Sequence, residues 1–490
     1  MKHLLSFLIL FVGLFGSAQV SNLTNLASGR MEMFVPIYEE ANNVYGYFSL
    51  FRKDKLSEDE EKFEYIILDK NLNKVANGEF VDTYYKGVYS SYFKPEKVKN
   101  NLILTKQFSN LSGSIAFTSS RLLDLSSNAI NEPFYFEGNT LYKGFRDAET
   151  LKKDQKSRPF FNLPIAADDG YVLIEGSKKS NKNNPSQIYY YNLQHEKLWD
   201  YDFGPENKKS EYRIATVDDG SIYFLYETKD LSNSSIKLSR IDIETGQSKF
   251  SYTLESYGGE YSYSYRIKKL ADRTILTGKI SPYNTLGYNK DKSLGLFKIV
   301  LDGDGNELFN KHVLWEEMSE FFDMNEKGKL EEGYKLFAHE YFVFNDERII
   351  VLSEKYKIAY NLLLGYHIKT EDFILLEFDS EFNLVNGTAI EKDMSKFSNS
   401  DFLFAQYLND ESDAVFFYND YEKDSETKDK NWILGIVSLI DGKVNHEKIP
   451  MISEEYSIFP YIAKEGYILL REFNKNSDFD KIRLERLNLD

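Results

Sequence analysis

The chain has 490 residues, a formal net charge of −17 and no cysteine, and its aromatics include 36 Tyr and 37 Phe. The acidic balance argues against nucleic acid or an anionic lipid surface as a partner. Without cysteine there are no disulfides, no thiolate zinc sites and no iron–sulfur clusters.

In chain order, residues 1–18 read as a secretory signal peptide. Lys2 and His3 give a charged start, residues 4–15 are apolar, and Gly16, Ser17 and Ala18 form a small-residue cleavage site. The apolar run is too short for a bilayer span. No Cys follows Ala18, so no acyl anchor is expected. Residues 19–490 are expected to be exported, to the periplasm or beyond, as a single monomeric domain without a membrane anchor.

From Met31 onward one pattern recurs. It is plainest at residues 221–254, which read SIYFLYE, a polar gap, IKLSRIDI, the turn ETG, and QSKFSYTL. That is strand, loop, strand, tight turn, strand. The strand before the turn ends in Asp or Asn each time: Asp69, Asn192, Asp242, Asp302, Asp379 and Asp441. The strand before that one starts near residues 44, 101, 170, 220, 273, 348, 413 and 466. A repeat of about 60 residues with four strands A to D cannot bury both its faces alone, and it predicts a β-propeller of four-stranded antiparallel blades. Eight blades are expected. Seven is the alternative, if the first and last units merge or the second is not a true blade.

The first unit runs to Val81. In the second, C and D are expected at 115–125 and 134–136, followed by a charged stretch at 142–158. The third to fifth units are regular. Insertions are expected at about 138–163, 315–338 and 355–371. Trp315, Met318 and Phe322 have helical spacing, as do Ile358, Leu362, Leu363 and Tyr366. The two segments are expected to pack together as a small helical cap. The last unit lacks a D strand, which residues 21–30 are expected to supply.

The small-residue end of the leader, Ser17-Ala18-Gln19, and hairpins such as Leu301-Asp-Gly-Asp-Gly-Asn306 resemble the secreted propeller-like proteins of Bacteroidota. The resemblance implies the fold and export. It carries no activity and no functional residue.

Three His-Glu pairs, at 195–196, 339–340 and 446–447, lack the second His of a zinc-protease helix; Trp199, Val343 and Pro450 stand there instead. Residues 302–306 begin like a calcium loop, but that loop needs Gly at 307 and Glu at 313, where this chain has Glu307 and Val313. No metal, cofactor or catalytic residue is expected. The long connections are nearly all B–C or D–A, and in this topology both emerge from the same face. Binding residues are therefore sought there. The candidates are Tyr84 and Tyr85, then Tyr257, Glu260 and Tyr261, then Tyr366 and His367. Aromatic faces beside an acid suit sugar rings or extended peptides. The expected function is non-catalytic binding of a glycan, peptide or protein. The alternative is a hydrolase or lyase with a carboxylate site at the channel mouth. Two carboxylates facing an open pocket would favour the enzyme, and an aromatic platform without them would favour binding.

Overall fold

The computed structural model describes residues 20–22, 27–40, 43–84, 88–109, 115–135, 160–161, 163–176, 186–203, 210–218, 220–229, 234–254, 261–282, 291–361, 365–396, 401–423, 430–451, 456–474 and 480–488. The chain forms eight antiparallel sheets, each four-stranded at its core and strung in chain order as the blades of a β-propeller. The fourth blade shows the plan. Ser210–Asp218 (A), Ser221–Lys229 (B), Ser234–Asp242 (C) and Ser248–Leu254 (D) pair in that order. The second unit is a true blade, with C at Ile115–Asp124 and D at Phe134–Tyr135.

Burial explains the sequence pattern. Strand C of the fifth blade, Gly295–Leu301, is buried at every position, so it reads as an unbroken apolar run. The outermost strand of the third blade, Lys197–Phe203, alternates outward polar residues with inward ones. The Asp that ends strand C closes the C–D turn. Asp302 Oδ1 accepts the backbone N–H of Asp304 (2.9 Å) and Asn306 (2.8 Å), and Asn306 Nδ2 donates to Oδ2 (2.9 Å). Asp69 with Asn73 and Asp379 with Asn383 repeat the device. Gly305 sits at φ +83° against the Phe250 ring, where a Cβ would come within 2.5 Å of ring carbons.

The chain divides into two compact units. The first holds residues 1–55, 62–81 and 451–490. In it Phe34, Tyr47, Phe51 and Leu68 of the first blade share a core with Leu469, Ile482 and Leu484 of the eighth. The Phe34 ring stacks on Tyr47 at 5.6 Å and meets Tyr461 edge-on at 5.9 Å. The second unit holds residues 56–61 and 82–450. There, consecutive blades share apolar cores, as between the fourth and fifth and between the sixth and seventh.

The eighth blade is completed from the N-terminus. Val20–Asn22 pairs antiparallel with Asp480–Arg486, with Val20 opposite Arg483 and Asn22 opposite Lys481. Of the expected residues 21–30, Ser21 and Asn22 lie in the closing strand, residues 23–26 lie outside the described residues, and Arg30 already belongs to the first strand of the first blade, Arg30–Glu40.

The helical cap is not formed. Residues 355–361 and 365–370 lie in two long strands, Ile349–Asn361 and Gly365–Phe378, paired from Tyr356 opposite Thr370 to Asn361 opposite Gly365. Tyr356, Ile358 and Tyr360 alternate with Lys355, Lys357 and Ala359, and this period of two governs. Trp315–Glu320 is a short 3-10 helix. Its Trp315 and Met318 are buried in the core shared by the fifth and sixth blades, among residues such as Leu296, Leu336 and Val351. Ile358, the expected partner, stands exposed. Leu362 and Leu363 lie outside the described residues.

Removing residues through Asn22 should strip the eighth blade of its fourth strand. At about 1 kcal/mol per backbone hydrogen bond, the expected loss is about 2–3 kcal/mol. Thermal melting of chains starting at residue 19 and at residue 23 checks this.

Candidate functional site

In each blade the B–C and D–A connections leave from the same strand ends. At those ends the second unit carries three ionic networks, each centred on a lysine; two are buried and the one around Lys279 is half-buried. Taking charge out of water costs several kcal/mol per ion, and only close partners offset it.

Lys106, on strand Asn101–Ser109, directs Nζ at Glu61 Oε1 (3.2 Å), Asp82 Oδ2 (3.2 Å) and the Thr83 carbonyl (3.0 Å). Arg121 Nη2 donates to Asp82 Oδ1 (3.0 Å), and the Tyr92 hydroxyl donates to Asp82 Oδ2. Two acids thus face two bases, all four buried. Burial opposes ionisation of Asp82, but Lys106 and Arg121 outweigh it and hold the carboxyl below its usual range.

Lys279, on strand Arg273–Pro282, lies 3.2 Å from Asp291 Oδ2 and donates to the Leu336 carbonyl at 2.5 Å. The Tyr356 hydroxyl also donates to Asp291 Oδ2, at 3.2 Å. Burial raises Asp291, yet Lys279 and the hydrogen bonds from Ser293 bring its carboxyl down to about 2.

The third network has the most members. Lys392 follows the last long strand of the sixth blade, Leu384–Ile390, and its side chain is fully buried. Its Nζ reaches Asp401 Oδ2 (2.7 Å), Glu354 Oε1 (3.2 Å) and Thr370 Oγ1 (3.4 Å). Glu354 Oε2 lies 2.8 Å from His339 Nε2, whose ring stacks on Phe402 at 5.0 Å. Nearby, Asp420 accepts the Asp393 backbone N–H (2.9 Å) and pairs with Lys448 (2.8 Å). Burial raises the Asp401 carboxyl, with Lys392 opposing.

These carboxylates are occupied by cations rather than facing open space. Among the described residues no three His, Asp or Glu are grouped so as to hold a metal ion. A small depression lies at the opposite strand ends, lined by Phe344, Arg348, Asp413 and Lys443 among others. Asp413 there is engaged by Asn409 Nδ2 (2.7 Å) and the Asp441 backbone N–H (3.0 Å).

The candidates read from sequence fall on three different blade connections. Tyr84 ends the first blade, half-buried, with its N–H donated to the Asp59 carbonyl at 2.8 Å. Tyr85, Tyr257 and Glu260 lie outside the described residues. Tyr261 starts strand Tyr261–Leu270 opposite Pro282. Tyr263, in the same sequence cluster, is a core residue, edge-on to Phe297 at 4.9 Å. Tyr366 faces Tyr360 across the sixth-blade hairpin, and the half-buried His367 faces Ala359.

The structure adds exposed aromatics that the sequence reading did not select. Trp432 is 59% exposed near the start of strand Lys430–Ile440, and Tyr421, its cross-strand partner, meets it edge-on at 6.2 Å. Tyr360, on the neighbouring blade, is 63% exposed. Both blades extend their B–C hairpins, and both aromatics stand on those extensions. Trp432 is one of three tryptophans; Trp315 is buried and Trp199 half-buried. A signal was available, since Trp432 and Tyr421 flank the polar B–C stretch from both sides.

Two tests follow from the networks. Replacing Lys106 by Met leaves Glu61 and Asp82 buried with a single cation, and should cost about 3–5 kcal/mol in denaturant unfolding. For Asp291, the folded-state value lies below an unfolded value of about 4. The stability it contributes is complete above about pH 4 and is lost as pH falls towards 2. Melting temperature against pH in that window should fall less steeply for Asp291→Asn than for the parent.

No curated protein matches the chain. Solved structures share the propeller design at low similarity. The β-propeller domain of the Trilobed protease from Pyrococcus furiosus is 10% identical over 83% of this chain and 97% of that one, with a TM-score of 0.36. The WD40 domain of SCAP from fission yeast is 8% identical over 96% and 99%, TM-score 0.36. The acylaminoacyl peptidase of Pyrococcus horikoshii is 8% identical over 91% of this chain and 58% of that one, TM-score 0.37. At this level the likenesses carry no argument about function. Residues 1–402 match the profile of DUF6770, a family of unknown function, and the chain belongs to that family.

Proposed function

We propose that this protein is an exported, non-catalytic binding propeller. Its ligand, a glycan, peptide or protein, docks at the B–C and D–A ends of the sixth and seventh blades. The observation that carries the reading is the pairing of exposed Trp432 with Tyr421 on a projecting hairpin, with Tyr360 exposed on the hairpin of the adjacent blade. A flat exposed ring braced edge-on offers apolar contact at low entropic cost, with polar groups around it. A glycan is the first choice, because its C–H faces stack on such rings while its hydroxyls reach the rim. Tyr366 and His367, on the sixth-blade hairpin, remain further contacts in this proposal, and Tyr84, Tyr85, Tyr257, Glu260 and Tyr261, at other blade junctions, are proposed as secondary contacts for a longer ligand. The enzymatic alternative needs two carboxylates facing an open pocket. At these ends the buried carboxylates Glu61, Asp82, Glu354 and Asp401 instead carry cations.

A glycan and peptide array probed with the mature protein tests the reading. The strongest hit should bind Trp432→Ala about tenfold or more weakly. Melting should stay within the small range of surface substitutions, about 0.5 kcal/mol. Equal binding by Trp432→Ala and the double variant with Tyr360→Ala would remove the site. Turnover of an array substrate would replace the reading with the enzymatic one.

A further inference from the structure

We propose that Lys392 and Asp401 become joined by an intramolecular isopeptide bond, with Glu354 as the proton carrier. The arrangement has the three parts such a condensation needs: a buried amine, a carboxyl group against it, and a second carboxylate touching the amine. Lys392 Nζ is 2.7 Å from Asp401 Oδ2 and 3.2 Å from Glu354 Oε1. Contact with one carboxylate oxygen leaves Cγ on the order of 3–3.5 Å from the nitrogen, the range of near-attack conformers. The Lys392 side chain is 0% exposed and that of Glu354 1%. The Phe373 ring lies 5.6 Å from the ammonium, and Phe402 covers His339. Such a site excludes the water that would reverse the reaction.

The chemistry balances without any co-reactant. Lys392 passes one proton to Asp401, giving a neutral amine and a neutral acid. The amine nitrogen attacks Cγ and forms a tetrahedral centre. Glu354 takes the second proton from that nitrogen and returns it to the departing hydroxyl, which leaves as water. The Nζ–Cγ bond forms, one C–O bond breaks, and Glu354 ends as it began. His339, 2.8 Å from the other oxygen of Glu354, orients that carboxylate.

The other two networks provide a contrast. Burial raises the Asp401 carboxyl, which favours the neutral, electrophilic acid. Asp82 is bound by Arg121 and Tyr92 as well as Lys106, and is held as a carboxylate, a poor electrophile. Among the described residues Lys279 pairs with Asp291 alone, with no second carboxylate to move the proton, and Asp291 stays ionised. One bond is therefore expected, not three. It would close residues 392–401 into a covalent loop between the sixth and seventh blades, in a chain that has no cysteine with which to make a disulfide.

Mass spectrometry of the folded full chain tests this. One loss of about 18 Da, a single water, is expected. After trypsin, the peptide bearing Lys392 should remain attached to the one bearing Asp401. Asp401→Asn should lose about 17 Da, as ammonia, through the same bond. Asp401→Ala should show its full mass, and so should Glu354→Gln, whose folding is checked by cooperative melting. A parent chain at full mass after prolonged incubation would overturn the proposal. So would a water loss that maps to another residue or leaves the two peptides separate.

Discussion

A sheet that is apolar on both faces cannot be buried by four strands alone, and this constraint organises the molecule. Every residue of Gly295–Leu301 is buried, and no single blade provides the cover for both its sides. The core therefore lies between blades, as where Tyr223, Leu238 and Phe250 of the fourth meet Leu276, Phe297 and Ile299 of the fifth. A blade left with one strand too few would expose such a face. The pairing of Val20–Asn22 with Asp480–Arg486 supplies the missing strand from the far end of the chain.

The same constraint explains the buried charge. Where strand ends of neighbouring blades converge, long side chains meet without water. Lys106, Lys279 and Asp420 lie towards the B–C end of their B strands, and Glu354 near the middle of its longer one. A buried ion pair roughly breaks even against an apolar pair, while a single unpaired charge costs several kcal/mol. These networks thus add little net stability and strongly penalise any packing that separates partners. Tyr360 and Trp432 are the most exposed large apolar side chains described at these ends of the sixth and seventh blades, with Ile358 less so.

Much of the fold was legible because its signals are local. Asp69, Asp302 and Asp379 close their turns with their own side chains, so the C–D hairpins could be read from a few residues each. The B and C strands are continuous apolar runs bounded by turns. The hairpin at 355–370 was misread, since Ile358 and Leu362 match a helix only if the alternation of Tyr356, Ile358 and Tyr360 is ignored. Trp315 and Met318 were rightly seen as an apolar stripe, but their partners are blade residues such as Leu336, distant in sequence. The ionic networks were not legible. Glu61 and Lys106 are 45 residues apart, and only blade packing brings them together. Likewise Tyr257 and Tyr261 read as candidate surface contacts, yet Tyr263, two residues further on, points into the core. Density of aromatics in sequence does not separate a platform from a packing face when both alternate along a strand.

The most direct test of the division between structural charge and exposed aromatic is the fluorescence of Trp432 during ligand titration. With Trp199 and Trp315 replaced by Phe, emission reports that residue alone. The exposed indole should be quenched readily by acrylamide in the free protein. A bound glycan should shift its emission to shorter wavelength and shield it from the quencher. A ligand that binds tightly while Trp432 stays fully quenchable and unshifted would contradict the account.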